Sequence, residues 1–358
     1  MKVLVAPLDW GLGHATRCVP VVREFLRQGA DVELAVVKAN ANLFREIFPD
    51  LRQHVAPSYN VVYPKHGFNM GLWLLKNGVH LNQVVRYERR YAEEMVRRFG
   101  FDILFSDNRF GFYSSKAHSI YMTHQRRIAF PKALSAFEGV GEIWHANIMK
   151  HFDEVWVPDL EQAPGYAGNL SHVNRIPCPV RFVGALTRFA GIPLKDPAKD
   201  LGVVAVVSGV EPARTQFENR LRESLAKIPG KHVMILGKPA AGPKSWIEGN
   251  ILFHNHLPTD EFAETVRRAR WVVSRGGYST IMDMAVLGAK NIFVPTPGQY
   301  EQQILARNLE NAGFAARISE RKLSGETLAA AMGMNVLELP FPETGLLESA
   351  VTDVLKKI

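Results

Sequence analysis

A chain of 358 residues with 47% hydrophobic and 22% charged residues can bury two sizeable cores and has too little net polarity for extensive disorder. A formal net charge of +8 favours acidic partners such as nucleic acid, anionic lipid or phosphorylated small molecules. Two cysteines, Cys18 and Cys178, exclude a disulfide framework, point to a reducing cytosol and suggest no metal site.

The opening MKVLVAPLDW is too short an apolar run for a signal peptide and reads as a first strand over 3–6, and no window reaches the length of a membrane-spanning helix. A loop at 7–13 and an amphipathic helix at 15–27, ended at Gly29, come next. The spacing then predicts a strand at 32–37, a short helix at 40–48 stopped by Pro49, a loose β segment at 54–63 and a loop at 67–71. Residues 72–99 read as a long helix, basic on one side, with a break at Gly78. Arg86, Arg89, Arg90, Arg97 and Arg98 concentrate charge there, with Glu88, Glu93 and Glu94 interleaved. That is either a solvated face or one that meets an anionic membrane or nucleic acid.

Strands at 102–105 and 119–122 end in Ser106-Asp107-Asn108-Arg109 and Thr123-His124-Gln125, and a helix at 138–151 leads to a strand at 154–157. Alternating strands and helices with near-continuous apolar strands imply a parallel sheet covered on both faces. From 158 to 199 the pattern is punctuated by Pro164, Gly165, Pro177, Pro179, Gly191, Pro193 and Pro197, which marks a domain junction. It restarts with strands at 203–207, 232–236, 251–253, 271–273 and 291–294, helices at 215–227, 260–270 and 301–311, and a last amphipathic helix at 344–357. The expected architecture is α/β, with a doubly wound domain at 1–182, a linker at 183–200, a second doubly wound domain at 201–342, and a helix at 343–358 placed to cross back to the first domain. Two such domains would face each other across a cleft lined by the carboxyl ends of their strands, where ligands bind in open α/β folds.

The stretch WVVSRGGYSTIMDM, 271–284, carries most of the chemistry. A buried strand ends at Ser274-Arg275, Gly276-Gly277 make a sharp turn, and Ser279 or Thr280 opens a helix. This order aims backbone N–H groups and a positive dipole end at one point, an anion site suited to phosphate. Asp283, a turn further on, could reach a sugar hydroxyl beside that phosphate, or could close a capping box with Thr280. The turn at 207–215 offers Gly209 for an unusual backbone angle and Arg214 as a bidentate phosphate donor, or is an ordinary connection with Pro212 near the helix start. The run 295–303 makes a rigid Pro-Gly turn that presents Gln299, Gln302 and Gln303, whose amides pair with sugar hydroxyls or simply form a polar helix start.

At the front, Trp10-Gly11-Leu12-Gly13-His14 follows the first strand, but Thr16 stands where a dinucleotide fingerprint has its third glycine. Gly11 and Gly13 could hold an anion or leave room for a second substrate. His14 at the helix mouth is either a general base for an acceptor hydroxyl or a loop histidine. Asp107, Asn108, His124 and Gln125 are polar groups at strand ends that could hold an acceptor or be satisfied locally.

The 274–303 stretch, with Gly-Leu-Gly-His at the front, resembles the two-domain GT-B glycosyltransferases, and most of all the peptidoglycan-precursor N-acetylglucosaminyltransferase of family 28 and its relatives. The resemblance spans both domains and is specific in 274–303. It implies a UDP-sugar donor held by the C-terminal domain. Gly209 and Arg214 would lie in the second glycine loop, with Arg275, Gly277 and Thr280 at the phosphate-side turn. Asp283 would bind the ribose hydroxyls where the family has a glutamate, and Gln302-Gln303 the sugar. Backbone around Leu257–Thr259 would hold the base. His14 matches the histidine ending the family's first glycine loop, and His124 an N-domain histidine near the acceptor. The first loop has fewer glycines than the peptidoglycan enzyme, Glu211-Pro212 stand in a glycine-richer segment of the second, and the acceptor half is otherwise dissimilar, so the acceptor does not carry over.

The resulting expectation is an inverting, metal-independent, cytoplasmic glycosyltransferase moving a hexose or N-acetylhexosamine from a UDP-sugar to a hydroxyl acceptor, a lipid-linked one included. His14 or Asp107 would serve as base, and neither a cofactor nor nucleic acid is expected. The alternatives are a nucleotide-sugar epimerase of the same fold, or a non-catalytic nucleotide-sugar or nucleic-acid binding protein.

Overall fold

The computed structural model describes residues 1–9, 12–59, 70–127, 138–172, 178–190, 197–238 and 244–358. Gly11, the expected β segment beyond 59, most of the loop at 67–71, and the linker markers Pro177, Gly191 and Pro193 lie outside them. The chain divides into two compact units. One takes the described residues up to Arg188 together with Pro342–Ile358, and the other takes the described residues of Phe189–Phe341.

The first unit runs β1 (Lys2–Pro7), α1 (Leu12–Arg27), β2 (Asp31–Val36), α2 (Lys38–Ile47), β3 (Gln53–Val55), α3 (Met70–Phe99), β4 (Ile103–Asp107), β5 (His118–Met122), α4 (Glu138–Met149), β6 (Glu154–Val157) and β7 (Val180–Phe182). Its sheet has the order β3-β2-β1-β4-β5-β6-β7, all parallel. Both faces of β1 are buried, Val3 and Val5 under α1 and Leu4 and Ala6 under α3, so the strand reads as an unbroken apolar run. The last helix, α10 (Leu346–Lys357), completes this unit by adding Ala350, Val351 and Val354 to the α1 core. Its polar side is tied by Thr352 donating to Gln28 (2.9 Å) and by the Arg181–Asp353 pair (2.8 Å).

The second unit runs β8 (Leu201–Val206), α5 (Ala213–Leu225), β9 (His232–Ile235), β10 (Ser245–Glu248), β11 (Ile251–His254), α6 (Thr259–Arg267), β12 (Ala269–Ser274), α7 (Tyr278–Leu287), β13 (Asn291–Phe293), α8 (Tyr300–Asn311), β14 (Ala315–Arg317) and α9 (Gly325–Met332). Its order is β10-β11-β9-β8-β12-β13-β14, parallel except for the β10–β11 hairpin. In both sheets the direction of winding reverses once, between β1 and β4 and between β8 and β12. Those reversals are where open α/β folds place ligands.

Three features differ from the sequence reading. Gly78 does not break α3, which continues as a helix through it, because a single glycine costs a helix only about 1 kcal/mol. β7, β10 and β14 were not anticipated; each is a short sheet-edge segment of three or four residues, too brief for periodicity to register. The charged face of α3 is only partly solvated. Arg86, Arg90, Arg97 and Arg98 are exposed, but Glu88 is fully buried against Arg109 (2.6 Å) and also accepts from Tyr59 (2.5 Å) and the Gly111 amide (2.8 Å). Arg109 in turn donates to the Pro7 (3.1 Å) and Pro57 carbonyls, which fixes the end of β1.

Phe25 stacks at 6.4 Å on Trp156 and meets Phe105 edge-on in the centre of the α1 core. Phe25→Ala is expected to lower unfolding free energy by about 3–5 kcal/mol in urea titrations. Tyr87→Ala, at a side chain 61% exposed, should change it by under about 0.5 kcal/mol.

Candidate functional site

In the first unit, parallel register sets Pro7, Asp107 and Met122 side by side at the carboxyl ends of β1, β4 and β5. α1 starts at Leu12, so Gly13 and His14 lie in its first turn rather than in the preceding loop. His124 lies two residues beyond β5. Adjacent strands thus bring together three residues far apart in sequence. His14 Nδ1 lies 3.0 Å from Asp107 Oδ2. A residue that sequence reasoning missed joins them: Arg17 donates from Nε to both Asp107 oxygens (3.0 and 2.9 Å) and from a terminal nitrogen to Oδ1. Its other terminal nitrogen lies 3.1 Å from His124 Nδ1. The available signal was an arginine one turn after His14, inside the apolar stripe of Ala15, Cys18, Val19 and Val22.

Asp107 and Arg17 are 0% and 2% exposed. Burial pushes the Asp107 carboxyl up, but the Arg17 guanidinium, His14 and the hydrogen bonds outweigh it and hold the group down at about 2. His14 is lowered from 6.5, first by burial and then by the charge of Arg17, against the opposing pull of Asp107. The imidazole is therefore uncharged at neutral pH, as a proton acceptor must be. Asn108 turns the chain at φ 57, and the Tyr121 hydroxyl donates to its side-chain oxygen (2.9 Å).

In the second unit the candidate residues cluster on the turns that follow β8, β11, β12 and β13. The helices these turns open, α5, α6, α7 and α8, have no side-chain N-cap hydrogen bond. α9 shows the contrast, with a full capping box between Ser324 and Thr327. The N-cap of α7 is Gly277. Thr280 and Asp283 therefore lie within the helix on one face, and the capping-box alternative for them fails. Gly277 is extended, at φ −75 and ψ 145. A Cβ on Gly276 would lie 3.4 Å from the Gln302 carbonyl oxygen and 3.5 Å from Ala306 Cβ, so α8 packs directly on the β12–α7 turn. Gly209 does need its freedom, at φ 118, and has nothing within 4 Å of where a Cβ would stand.

The two arginines read as phosphate ligands are otherwise engaged. Arg275 is buried at 2% exposure, pairs with Glu320 (2.6 Å), donates to the Val294 and Ala213 carbonyls (both 3.1 Å) and lies over the Phe217 ring (3.8 Å). These contacts brace β12 against α5. Arg214 is held by Glu211 (2.7 Å) and Glu218 (3.1 Å) and donates to the Leu236 carbonyl (3.1 Å). Gln302 accepts from the Thr296 amide (2.9 Å) and donates to Gln299, which stiffens the Pro-Gly turn. Gln303 is half-buried, with its backbone N–H bonded to the Gln299 carbonyl (3.2 Å). Leu257 buries its side chain in the connection to α6, which Thr259 opens, and Ser279 sits half-buried in the first turn of α7. Among the described residues no group of three or more His, Cys, Asp or Glu is placed to hold a metal ion.

Comparison with known proteins adds the following. Residues 252–345 match the model of the glycosyltransferase family 28 C-terminal domain, a span that contains α7 and α8. An uncharacterized glycosyltransferase of Methanosarcina acetivorans is 23% identical over 334 residues, covering 89% of this chain and 84% of that protein. The UDP-N-acetylglucosamine--N-acetylmuramyl-(pentapeptide) pyrophosphoryl-undecaprenol N-acetylglucosamine transferase of Bartonella tribocorum is 37% identical over 73 residues, 20% of this chain and 19% of that one. The MurG structure of Acinetobacter baumannii superposes with a TM-score of 0.61 at 13% identity, covering 100% of this chain and 99% of that one.

Asp107 yields a pH prediction. Its folded value, about 2, lies below its ordinary 3.8, so its contribution is present above about pH 4 and lost as pH falls through about 2. The contribution is about 2 kcal/mol. Asp107→Asn should flatten the urea-stability profile in that window and cost about 3–5 kcal/mol at pH 7, because Arg17 is left buried and unpaired.

Proposed function

We propose that this chain, a glycosyltransferase of GT-B fold with a family 28 C-terminal domain, moves a hexose or N-acetylhexosamine from a UDP-sugar to a hydroxyl acceptor, with inversion and without a metal ion. The observation that carries the reading is the coincidence of the family 28 span with the β12–α7 turn, where a strand ends against a helix N-terminus that has no side-chain cap. Such a terminus suits the diphosphate of a nucleotide sugar. The Bartonella relative is named for a UDP-N-acetylglucosamine donor, and its match supports UDP as the carrier.

On this reading the diphosphate rests on the backbone amides at the start of α7, with Asp283 on the ribose and Gln303 on the sugar. His14 donates Nδ1–H to Asp107 and uses Nε2 to take the proton of the acceptor hydroxyl. The hydroxyl oxygen bonds to the anomeric carbon as the bond from that carbon to the phosphate oxygen breaks, and UDP leaves with its charge stabilised by backbone dipoles. Attack opposite the leaving group inverts the anomeric centre. No helix among the described residues is long and apolar enough to cross a membrane. The exposed Arg86, Arg90, Arg97 and Arg98 of α3 suit a peripheral position on an anionic inner membrane face, where a lipid-linked acceptor would be met.

Calorimetric titration with UDP tests the donor side. Wild-type chain should bind it, and Asp283→Ala should weaken binding about tenfold or more while thermal stability stays nearly unchanged. His14→Ala should retain UDP affinity and lose about 100- to 10,000-fold in sugar transfer, scored as UDP release from a donor panel with and without EDTA. Absence of UDP binding would sink the proposal. A change in the sugar itself, seen by NMR of UDP-N-acetylglucosamine incubated alone, would favour epimerisation instead.

A further inference from the structure

One guanidinium faces both imidazoles of the first unit, and hydrogen-bond chemistry fixes what each must be. Arginine has donors and no acceptor. At the 3.1 Å contact with His124, Arg17 therefore donates and His124 Nδ1 holds a lone pair, which leaves the ring proton on Nε2. His14 is the opposite case. Its Nδ1 faces the Asp107 carboxylate at 3.0 Å, a group that only accepts, so Nδ1 carries the proton and Nε2 the lone pair. The Arg17 nitrogen that lies 2.9 Å from His14 Nδ1 spends one of its two N–H groups on Asp107 Oδ1; the other faces the same ring nitrogen, and the carboxylate, which has no proton to give, is what assigns the proton to Nδ1.

We infer that Arg17 is a positioning residue: through the buried Arg17–Asp107 pair it holds His14 and His124 in opposite tautomers, one ring with a proton-accepting Nε2 and the other with a proton-donating Nε2. The inference rests on the reading of His14 as the base. It gives His124 a distinct task, offering a hydrogen bond to the lone pair of the acceptor oxygen without competing for its proton. The Gln125 amide nitrogen is placed 3.4 Å from His124 Nε2, and a proton on that ring nitrogen requires the amide to turn its oxygen there instead.

Among the described residues, few groups face His14. Its own helix supplies Arg17 and Cys18, whose thiol burial pushes well up and which sits 3.6 Å from Asp107 Oδ2. β4 supplies Asp107, and the segment after β5 supplies His124. Lys2 of β1 and Glu348 of α10 lie at the opposite end of the sheet and of α1, paired with Glu33 (3.5 Å) and Arg27 (2.7 Å).

Long-range proton–nitrogen spectra of the full chain, labelled with nitrogen-15 histidine and without ligand, test this. His14→Gln and His124→Gln assign the two rings. Wild type should show His14 as the Nδ1–H tautomer with a titration midpoint below 6.5, and His124 as the Nε2–H tautomer. Arg17→Met should move the His14 midpoint up by about one unit or more and turn His124 into a tautomer mixture. Unchanged tautomers and midpoint in folded Arg17→Met overturn the inference. Should that variant not fold, the neutral pair Arg17→Met with Asp107→Asn strands no buried charge and decides the matter. A tautomer mixture at His124 supports the inference, and an unchanged Nε2–H ring overturns it. A chain with both wild-type tautomers that binds no UDP loses the donor reading alone, and one that binds UDP without them loses only the role of Arg17.

Discussion

The Arg17–Asp107 pair is the constraint around which the carboxyl edge of the first unit's sheet is arranged. A carboxylate at the end of a central strand, with no exposure, is tenable only with its charge matched and its oxygens hydrogen-bonded. Arg17 meets both needs, His14 takes one further contact, and the guanidinium that remains reaches His124. Orientation of both imidazoles thus comes from one ion pair on the rigid ends of α1 and β4 rather than from a mobile loop. A second buried pair, Arg109–Glu88, secures the carbonyl of Pro7 and so fixes the strand end from which the first loop departs.

The glycosyltransferase's second unit works by another principle. Its prominent arginines are matched by carboxylates of its own, Arg275 by Glu320 and Arg214 by Glu211 and Glu218. At the start of α7 the N-cap is Gly277, which brings no side chain to the helix start, whereas at α5 the Glu211 carboxylate takes the Thr215 amide (3.2 Å). Peptide dipoles held by a sheet need no reorganisation as a leaving group gains charge, whereas a long flexible side chain must be ordered first. The internal pairs stiffen that scaffold: Arg275 ties β12 to α5, and Gln302 ties the Pro-Gly turn to α8. Close packing of α8 against Gly276 joins the two turns into one surface.

Sequence alone determined the alternation of apolar strands and amphipathic helices, hence two parallel α/β units, and it marked out the strand–glycine–helix turn at 271–284, His14 at a helix mouth, and Asp107 and His124 at strand ends. These are local properties, because periodicity and turn chemistry act over a few residues. Tertiary structure alone decided what each charge does. Arg17 and Asp107 are separated by 90 residues, Arg275 and Glu320 by 45, and Glu88 and Arg109 by 21. A charged residue read in isolation looks like a ligand hand or a solvated face. Only the strand register and helix packing that bring its partner within hydrogen-bond reach distinguish an arginine that braces the scaffold from one that could meet a substrate.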